Sequence, residues 1–234
     1  MITANIIQRV LMVKYGEQIG TAFTVEIDEK QYLISAKHIF KDLSKESKIE
    51  ILKGGVWQTI NVKPIFCENH WIDIIAFELD KDLTTTRKLP ITLTLDQTGL
   101  SQDIYFLGYP YGIKHDYHSS DGFALPLVKK GIVSAINGDV VWCDGHNNPG
   151  FSGGPIVIKK GNSNDIQIIS VISGYRNDNK TGENSGIFYG YSIDLIVNAI
   201  KKSKGFYNLK YKFSLSPQLY LSWLGDFYFH DFSN

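Results

Sequence analysis

Cysteine is scarce in this chain of 234 residues: there are two, Cys67 and Cys143. A secreted domain of this size commonly carries several disulfides, so two scattered thiols point to a reducing compartment, and we expect a cytoplasmic protein. Net charge is missing too. Lys+Arg and Asp+Glu both number 24. That balance excludes a general binder of nucleic acid or anionic membrane, whose affinity would rest on a basic surface. No apolar run approaches the length of a bilayer-spanning helix. The opening Met1-Ile2-Thr3-Ala4-Asn5-Ile6-Ile7-Gln8-Arg9 lacks a basic start, and Gln8 and Arg9 interrupt its apolar stretch. It reads as a first strand rather than a secretion signal. There is no repeat of the period that marks a solenoid and no low-complexity segment.

What remains is an ordinary globular composition, 43% hydrophobic and 21% charged, long enough for one large domain or two small barrels with real cores. Strand signals run throughout. Val10 to Tyr15, Thr21 to Ile27 and Tyr32 to Ala36 read as strands, and Ile72 to Leu79 closes the first half. Lys48 to Leu52 and Val56 to Val62 flank Gly54-Gly55, a hairpin turn. Leu89 to Leu100 reads as a connection. The second half offers Ile104 to Leu107, then Gly131 to Ile136 and Val140 to Cys143 around Asn137-Gly138, which suits a type I′ turn. Pro155 to Lys159 and Ile166 to Ile172 form another pair around Gly161 to Asp165. Only Ile193 to Ser203 has helical spacing, with Leu195, Ile196, Ala199 and Ile200 on one face. The expected fold is all-β: two six-stranded antiparallel barrels, residues 1–95 and 96–204, with one late helix and an aromatic extension over 205–234.

Three segments carry chemistry. Leu33-Ile34-Ser35-Ala36-Lys37-His38 is an apolar strand ending in histidine. His70-Trp71-Ile72-Asp73-Ile74-Ile75-Ala76 sets an aspartate in an otherwise apolar strand. Asn148-Pro149-Gly150-Phe151-Ser152-Gly153-Gly154-Pro155 puts a serine in a glycine-rich turn whose backbone can aim N–H groups at a developing oxyanion. A serine hydroxyl is a weak nucleophile until a base takes its proton. His38 would serve as that base, Asp73 would orient the imidazole, and the Gly150 and Ser152 N–H groups would form the oxyanion hole. Gly150 to Gly154 also fits the Gly-x-Ser-x-Gly elbow of another hydrolase architecture, with Asp194 and His230 as partners. That arrangement needs a helix directly after the serine, where Ile156-Val157-Ile158 reads as a strand. Asp80 is an alternative acid, beside Lys81 at a strand end, where a solvated charge is the simpler reading. A third reading keeps the fold without the catalysis: a silent or gated cleft serving as a peptide- or protein-binding module.

At these residues the chain resembles the trypsin-like (chymotrypsin-fold) serine peptidases, the HtrA/Deg protease domain above all. Gly20-Thr21-Ala22-Phe23, Leu107-Gly108-Tyr109-Pro110, Lys130-Gly131-Ile132-Val133-Ser134 and Gly190-Tyr191-Ser192-Ile193 join the three segments in the family's order, over roughly residues 18 to 203. The resemblance implies a double barrel with His38, Asp73 and Ser152 in the cleft. It implies endopeptidase action on protein or peptide substrates bound as an added strand, with no cofactor. It also implies that His146 lies near the base of the primary pocket, and that Ser173, Gly174, Tyr175 and Gly190 line the substrate path. Position 146 is not an aspartate, so we expect a small or medium apolar residue before the scissile bond. No PDZ domain is expected after the helix. That favours cleavage of a few chosen proteins, as an effector in stress or defence. Phe151 stands where digestive relatives carry an acidic residue, so activation by a freed N-terminal amine is not expected. The oxyanion loop must be ordered by default or by a partner.

Weaker signals remain. Cys67-Glu68-Asn69-His70 and Cys143-Asp144-Gly145-His146 are both C-x-x-H, a zinc-like ligand set if they met; separate thiols and loop histidines are the plainer reading, and no metal is expected. His115 and His118 read as a solvated loop. Ten aromatics fall between Gly205 and Asn234. They are expected to pack back on the second barrel, the alternative being a docking or oligomer surface.

Overall fold

The computed structural model describes residues 2–43, 47–84, 89–116, 123–160 and 165–205. The aromatic segment 206–234 with His230, the tip 161–164 of the predicted hairpin, and His118 lie outside the described residues. Residues 2–9 do not form the expected strand; residues Ala4–Ile7 make a one-turn helix, α1, that buries Ile6.

Extended apolar runs, broken by turn residues of positive φ, build the first barrel. Its strands are β1 (Val10–Tyr15), β2 (Gln18–Ile27), β3 (Lys30–Ser35), β4 (Ser47–Lys53), β5 (Val56–Phe66) and β6 (Ile75–Leu79), closed in the order β1-β2-β3-β6-β5-β4. Gly54 and Gly55 have φ of 61° and 75°, and Asp28 and Glu29 have 49° and 64°. Two positive φ values in succession are the type I′ pattern that matches strand twist. The barrel interior is filled by Leu11, Val13, Leu33, Ile49, Ile51, Val62, Ile75 and Phe77. The strand predicted from Ile72 begins only at Ile75. Ile72 and Ile74 are buried all the same, so their apolar alternation reflects packing of a loop rather than a ladder.

The second barrel has the order β13-β8-β11-β12-β15-β14, and pairing of β13 with β14 closes it. These strands are β8 (Asp103–Gly108), β11 (Leu127–Asn137), β12 (Val140–Asp144), β13 (Pro155–Lys159), β14 (Ile166–Asn177) and β15 (Asn184–Ser192). The predicted connection carries a short strand, β7 (Thr92–Leu93), that pairs in parallel with β14. A two-residue ribbon, β9 (His115–Asp116) with β10 (Ala124–Leu125), lies between β8 and β11. The predicted Asn137-Gly138 turn sits one residue later. Asn137 pairs with Val140, so Gly138 and Asp139 are the central residues. Only Gly138 has positive φ, which is the type II′ pattern and not I′. Phe106 centres the interior, with Phe151 and Phe188 at 5.1 and 4.7 Å between ring centroids.

Helix α2 (Ile193–Ser203) has the predicted bounds. Ser192 caps it through its side-chain oxygen, which accepts from the Asp194 N–H. A third apolar core joins the two barrels and this helix. It holds Val10, Met12, Phe23, Ile34 and Ala76 from the first barrel, Leu107, Val157 and Val171 from the second, and Ile193, Ile196 and Ile200 from α2. The cleft above this seam is where residues from both barrels meet.

Candidate active site

β3 ends at Ser35, and Lys37–Ile39 form a single 3₁₀ turn. That turn lifts His38 out of the barrel wall, its side chain 45% exposed. The sequence reading had His38 ending the strand; the turn is what frees the ring. Asp73 lies in the loop before β6, gripped by buried Ile72 and Ile74, with its carboxylate 17% exposed. Oδ1 of Asp73 accepts from the His38 backbone N–H at 2.8 Å, and Oδ2 lies 2.7 Å from His38 Nδ1. A carboxylate at Nδ1 fixes the proton there and leaves Nε2 as the ring's acceptor.

Ser173 supplies a contact that the sequence reading missed. It was assigned only to the substrate path, but its hydroxyl donates to Asp73 Oδ2 at 2.5 Å across 100 positions of chain. Asp73 Oδ2 therefore holds His38 on one side and the second barrel on the other.

Ser152 sits in the loop between β12 and β13. Gly150 has φ +102°, and a Cβ there would lie 2.3 Å from the Tyr109 carbonyl oxygen. Gly153 has φ +82°, and a Cβ there would lie 2.1 Å from the Thr21 carbonyl oxygen. Both the backbone shape and the space therefore require glycine. The carbonyls of the loop are tied outward: Pro149 accepts from the Tyr111 N–H (2.8 Å), Gly150 from the Thr21 hydroxyl (2.7 Å), and Ser152 from the Thr21 N–H (2.9 Å). Phe151 is fully buried beneath them. Among the described residues, neither the Gly150 nor the Ser152 N–H donates to a backbone acceptor. Two free donors on a loop fixed in this way are what an oxyanion requires. The Ser152 hydroxyl itself donates to the Ser173 carbonyl at 3.4 Å rather than to His38.

The other predicted residues fall as follows. His146 is exposed, and its carbonyl accepts from the Lys129 ammonium. Ser173, Gly174 and Tyr175 lie on β14 beyond the end of its pairing with β13, which stops at Val171. A Cβ on Gly174 would meet the Tyr189 hydroxyl at 3.1 Å, so the Tyr189 ring lies over that stretch. At Gly190 a Cβ would meet the Val171 carbonyl at 2.4 Å; close approach of β15 to β14 accounts for that glycine. Asp194 is occupied at the start of α2, where its carboxylate accepts from Ser192 Oγ and from the Leu95 N–H. No helix follows Ser152; β13 does. The elbow reading fails on both points. Asp80 is exposed and lines a concavity of about 480 Å³ with Ser47, Lys48, Asn61 and Lys63, on the first barrel and away from His38.

The two thiols belong to different cores and form no disulfide. Burial pushes Cys67 up to about 11 and Cys143 up to about 12, so both are held as inert thiols. Among the described residues, no group of three or more His, Cys, Asp or Glu side chains is placed to hold a metal ion. Nor is any helix among them long and apolar enough to cross a membrane.

Solved structures share this architecture. The serine endoprotease from Yersinia pestis superposes with a TM-score of 0.60 at 18% identity, covering 85% of this chain and 63% of its own. The HtrA-type protease AlgW, solved with a tripeptide, gives 0.60 at 18%, covering 85% and 61%. The M. tuberculosis protein Rv3671c, a serine-to-alanine mutant in an inactive form, gives 0.55 at 13%, covering 86% and 88%. This chain thus spans less than two thirds of the length of the first two. No curated protein matches it. The family model of the trypsin-like peptidase domain matches residues 20–163, more than half of the chain. That span begins in β2, takes in the His38 turn, the Asp73 loop and the glycine-bound Ser152, and ends just past β13. On that match and on the double barrel that carries it, the chain belongs to the trypsin-like peptidase family.

Proposed function

We propose that this protein is a serine endopeptidase with Ser152 as nucleophile, His38 as general base and then acid, and Asp73 as the residue that orients it. The observation that carries this is the double contact of Asp73 with His38, to the ring and to the backbone N–H of the same residue. It locks one tautomer and one ring direction beside a serine on a glycine-bound loop. In the reaction, His38 Nε2 takes the hydroxyl proton as Ser152 Oγ bonds to the substrate carbonyl carbon. The resulting oxyanion accepts from the Gly150 and Ser152 N–H groups. His38 gives the proton to the leaving amine as the C–N bond breaks, and an acyl-enzyme remains. Water, deprotonated by His38, then releases the acid and restores Ser152.

Substrate would lie as a strand along residues 173–175 of β14, whose edge beyond Val171 is not paired with β13. His146 at the pocket base carries no anion, which fits a small or medium apolar side chain before the scissile bond. A profile dominated by Arg or Lys there would overturn that preference. Two free thiols, Cys143 buried and Cys67 half-buried, support a reducing, cytoplasmic setting.

A second reading has one observation in its favour. The Ser152 hydroxyl is turned to the Ser173 carbonyl and not to His38, as in a closed cleft that only binds peptides. Resting proteases also show long or misdirected bonds that tighten on substrate, so labelling decides. Purified protein treated with a fluorophosphonate should gain one adduct by intact mass, absent in Ser152→Ala. A folded wild type that gains none would favour the binding module.

A further inference from the structure

The loop 146–151 lacks the acidic residue through which an N-terminal amine could order it, because Phe151 stands at that place and is buried. A different cation has taken up a position there. Lys129, on β11, pairs across the ladder with Phe106 of β8. Its ammonium donates to the His146 carbonyl and to Asn148 Oδ1, the latter at 3.4 Å. The same nitrogen lies 5.8 Å from the centroid of the Phe151 ring and 5.9 Å from that of Phe106. Among the described residues, no carboxylate pairs with it; its charge is spent on a carbonyl, an amide oxygen and two ring faces. We propose that Lys129 is a built-in brace for the oxyanion loop, fixing His146, Asn148 and Phe151 from below so that the Gly150 and Ser152 N–H groups stay aimed without a partner.

The geometry favours this over an ordinary surface lysine. The loop is held by Thr21 of the first barrel and by Tyr111, both of which bond its carbonyls. Asn148 is gripped on both flanks, by Lys129 through its side-chain oxygen and by the Tyr111 hydroxyl through its amide nitrogen, the latter at 3.3 Å. Toward Phe106 and Lys129, the Phe151 ring gives only dispersion and ring contact. Beside that ring Lys129 adds directional bonds, while the Asn184 amide nitrogen of β15 donates to the neighbouring Asn147 carbonyl. Partial burial holds its ammonium below the usual lysine range. A lysine stem free to reach water would avoid that cost, so the position is maintained by the contacts it makes. Lys129 touches no reacting atom. It is a positioning residue, and the inference rests on the serine-peptidase reading above.

The test compares wild type with Lys129→Met, which keeps the stem but removes charge and donors, and Lys129→Arg, which restores both. The probe is a fluorophosphonate, read as maximal labelling rate and half-saturating concentration, with hydrogen exchange over residues 145–152 measured in parallel. We expect Lys129→Met to lower the maximal rate by about tenfold to a hundredfold with little change at half-saturation, since misaimed donors cost rate rather than encounter. Exchange in the loop should rise, and Lys129→Arg should recover most of both. Wild-type labelling with Lys129→Met equally fast overturns the brace and leaves the peptidase reading standing. Unlabelled wild type overturns the peptidase reading; loop exchange unchanged in Lys129→Met would then overturn the brace independently. If Lys129→Met fails to fold, Lys129→Gln, which removes the charge and keeps an amide N–H donor group, is read by the same two measurements.

Discussion

Asp73 is the residue on which the two barrels converge, and its two oxygens divide the work. Oδ1 takes the His38 backbone N–H, while Oδ2 is shared by the His38 ring and the Ser173 hydroxyl. A hydrogen bond to a charged group is worth about 1.5–3 kcal/mol. Ser173→Ala should therefore leave the fold intact and slow labelling of Ser152 by about tenfold, since only part of that contact bears on the ring direction. Labelling at the wild-type rate would assign Ser173 to the substrate path alone. The segments that carry His38, Asp73 and Ser152 were legible in the sequence by their distinctive composition, and the structure sets Asp73 against the His38 ring. The Ser173 hydroxyl and the Lys129 ammonium were not legible. Their roles depend on strand register and on contacts across 100 and 17 to 22 positions of chain, and no local pattern records those.

At the scale of elements, one buried cation fastens three pieces of chain. Arg9, 1% exposed, donates from Nη1 to Glu26 Oε2 at 2.5 Å and to the Thr24 carbonyl, from Nε to Asn5 Oδ1, and from Nη2 to the Leu89 carbonyl. It thereby ties α1 and the connection between the barrels to β2. Removing one partner of a buried pair leaves the other uncompensated, so Arg9→Ala should destabilise the protein by about 3 kcal/mol, measured by urea unfolding. A change below about 0.5 kcal/mol would mean that Glu26 is already solvated. Sequence reading took residues 1–9 as a first strand, with Gln8 and Arg9 as interruptions of its apolar stretch; the buried contacts of Arg9 are long-range and leave no local pattern. Most strands of the two barrels and the bounds of α2 were readable from period and punctuation, but β15 was not, because Gly186 and Gly190 interrupt its apolar alternation. β7 was not, since two residues of parallel pairing carry no period. The one-residue shift of the Gly138 turn came from Asn137 joining the ladder instead of the turn.

For the molecule as a whole, the apolar seam is the governing feature. Residues of both barrels and of α2 form one contiguous core, so neither barrel keeps a complete core without the other. Heating should therefore give a single transition, with calorimetry and near-ultraviolet dichroism coincident. Two separated transitions would show that the barrels are independent units. The same seam holds the two walls of the cleft together, with His38 and Asp73 on one barrel and Ser152 and Ser173 on the other.

The seam also bears on how the protein is made. While the chain is still being synthesised, the first barrel is complete when Leu79 has emerged, yet its Met12, Phe23 and Ile34 wall waits for partners as late as Ile200. At ordinary ribosomal elongation speeds that interval is on the order of ten seconds. For that time the ribosome carries a first barrel whose oily flank is still uncovered, and a nascent-chain chaperone would find its grip there.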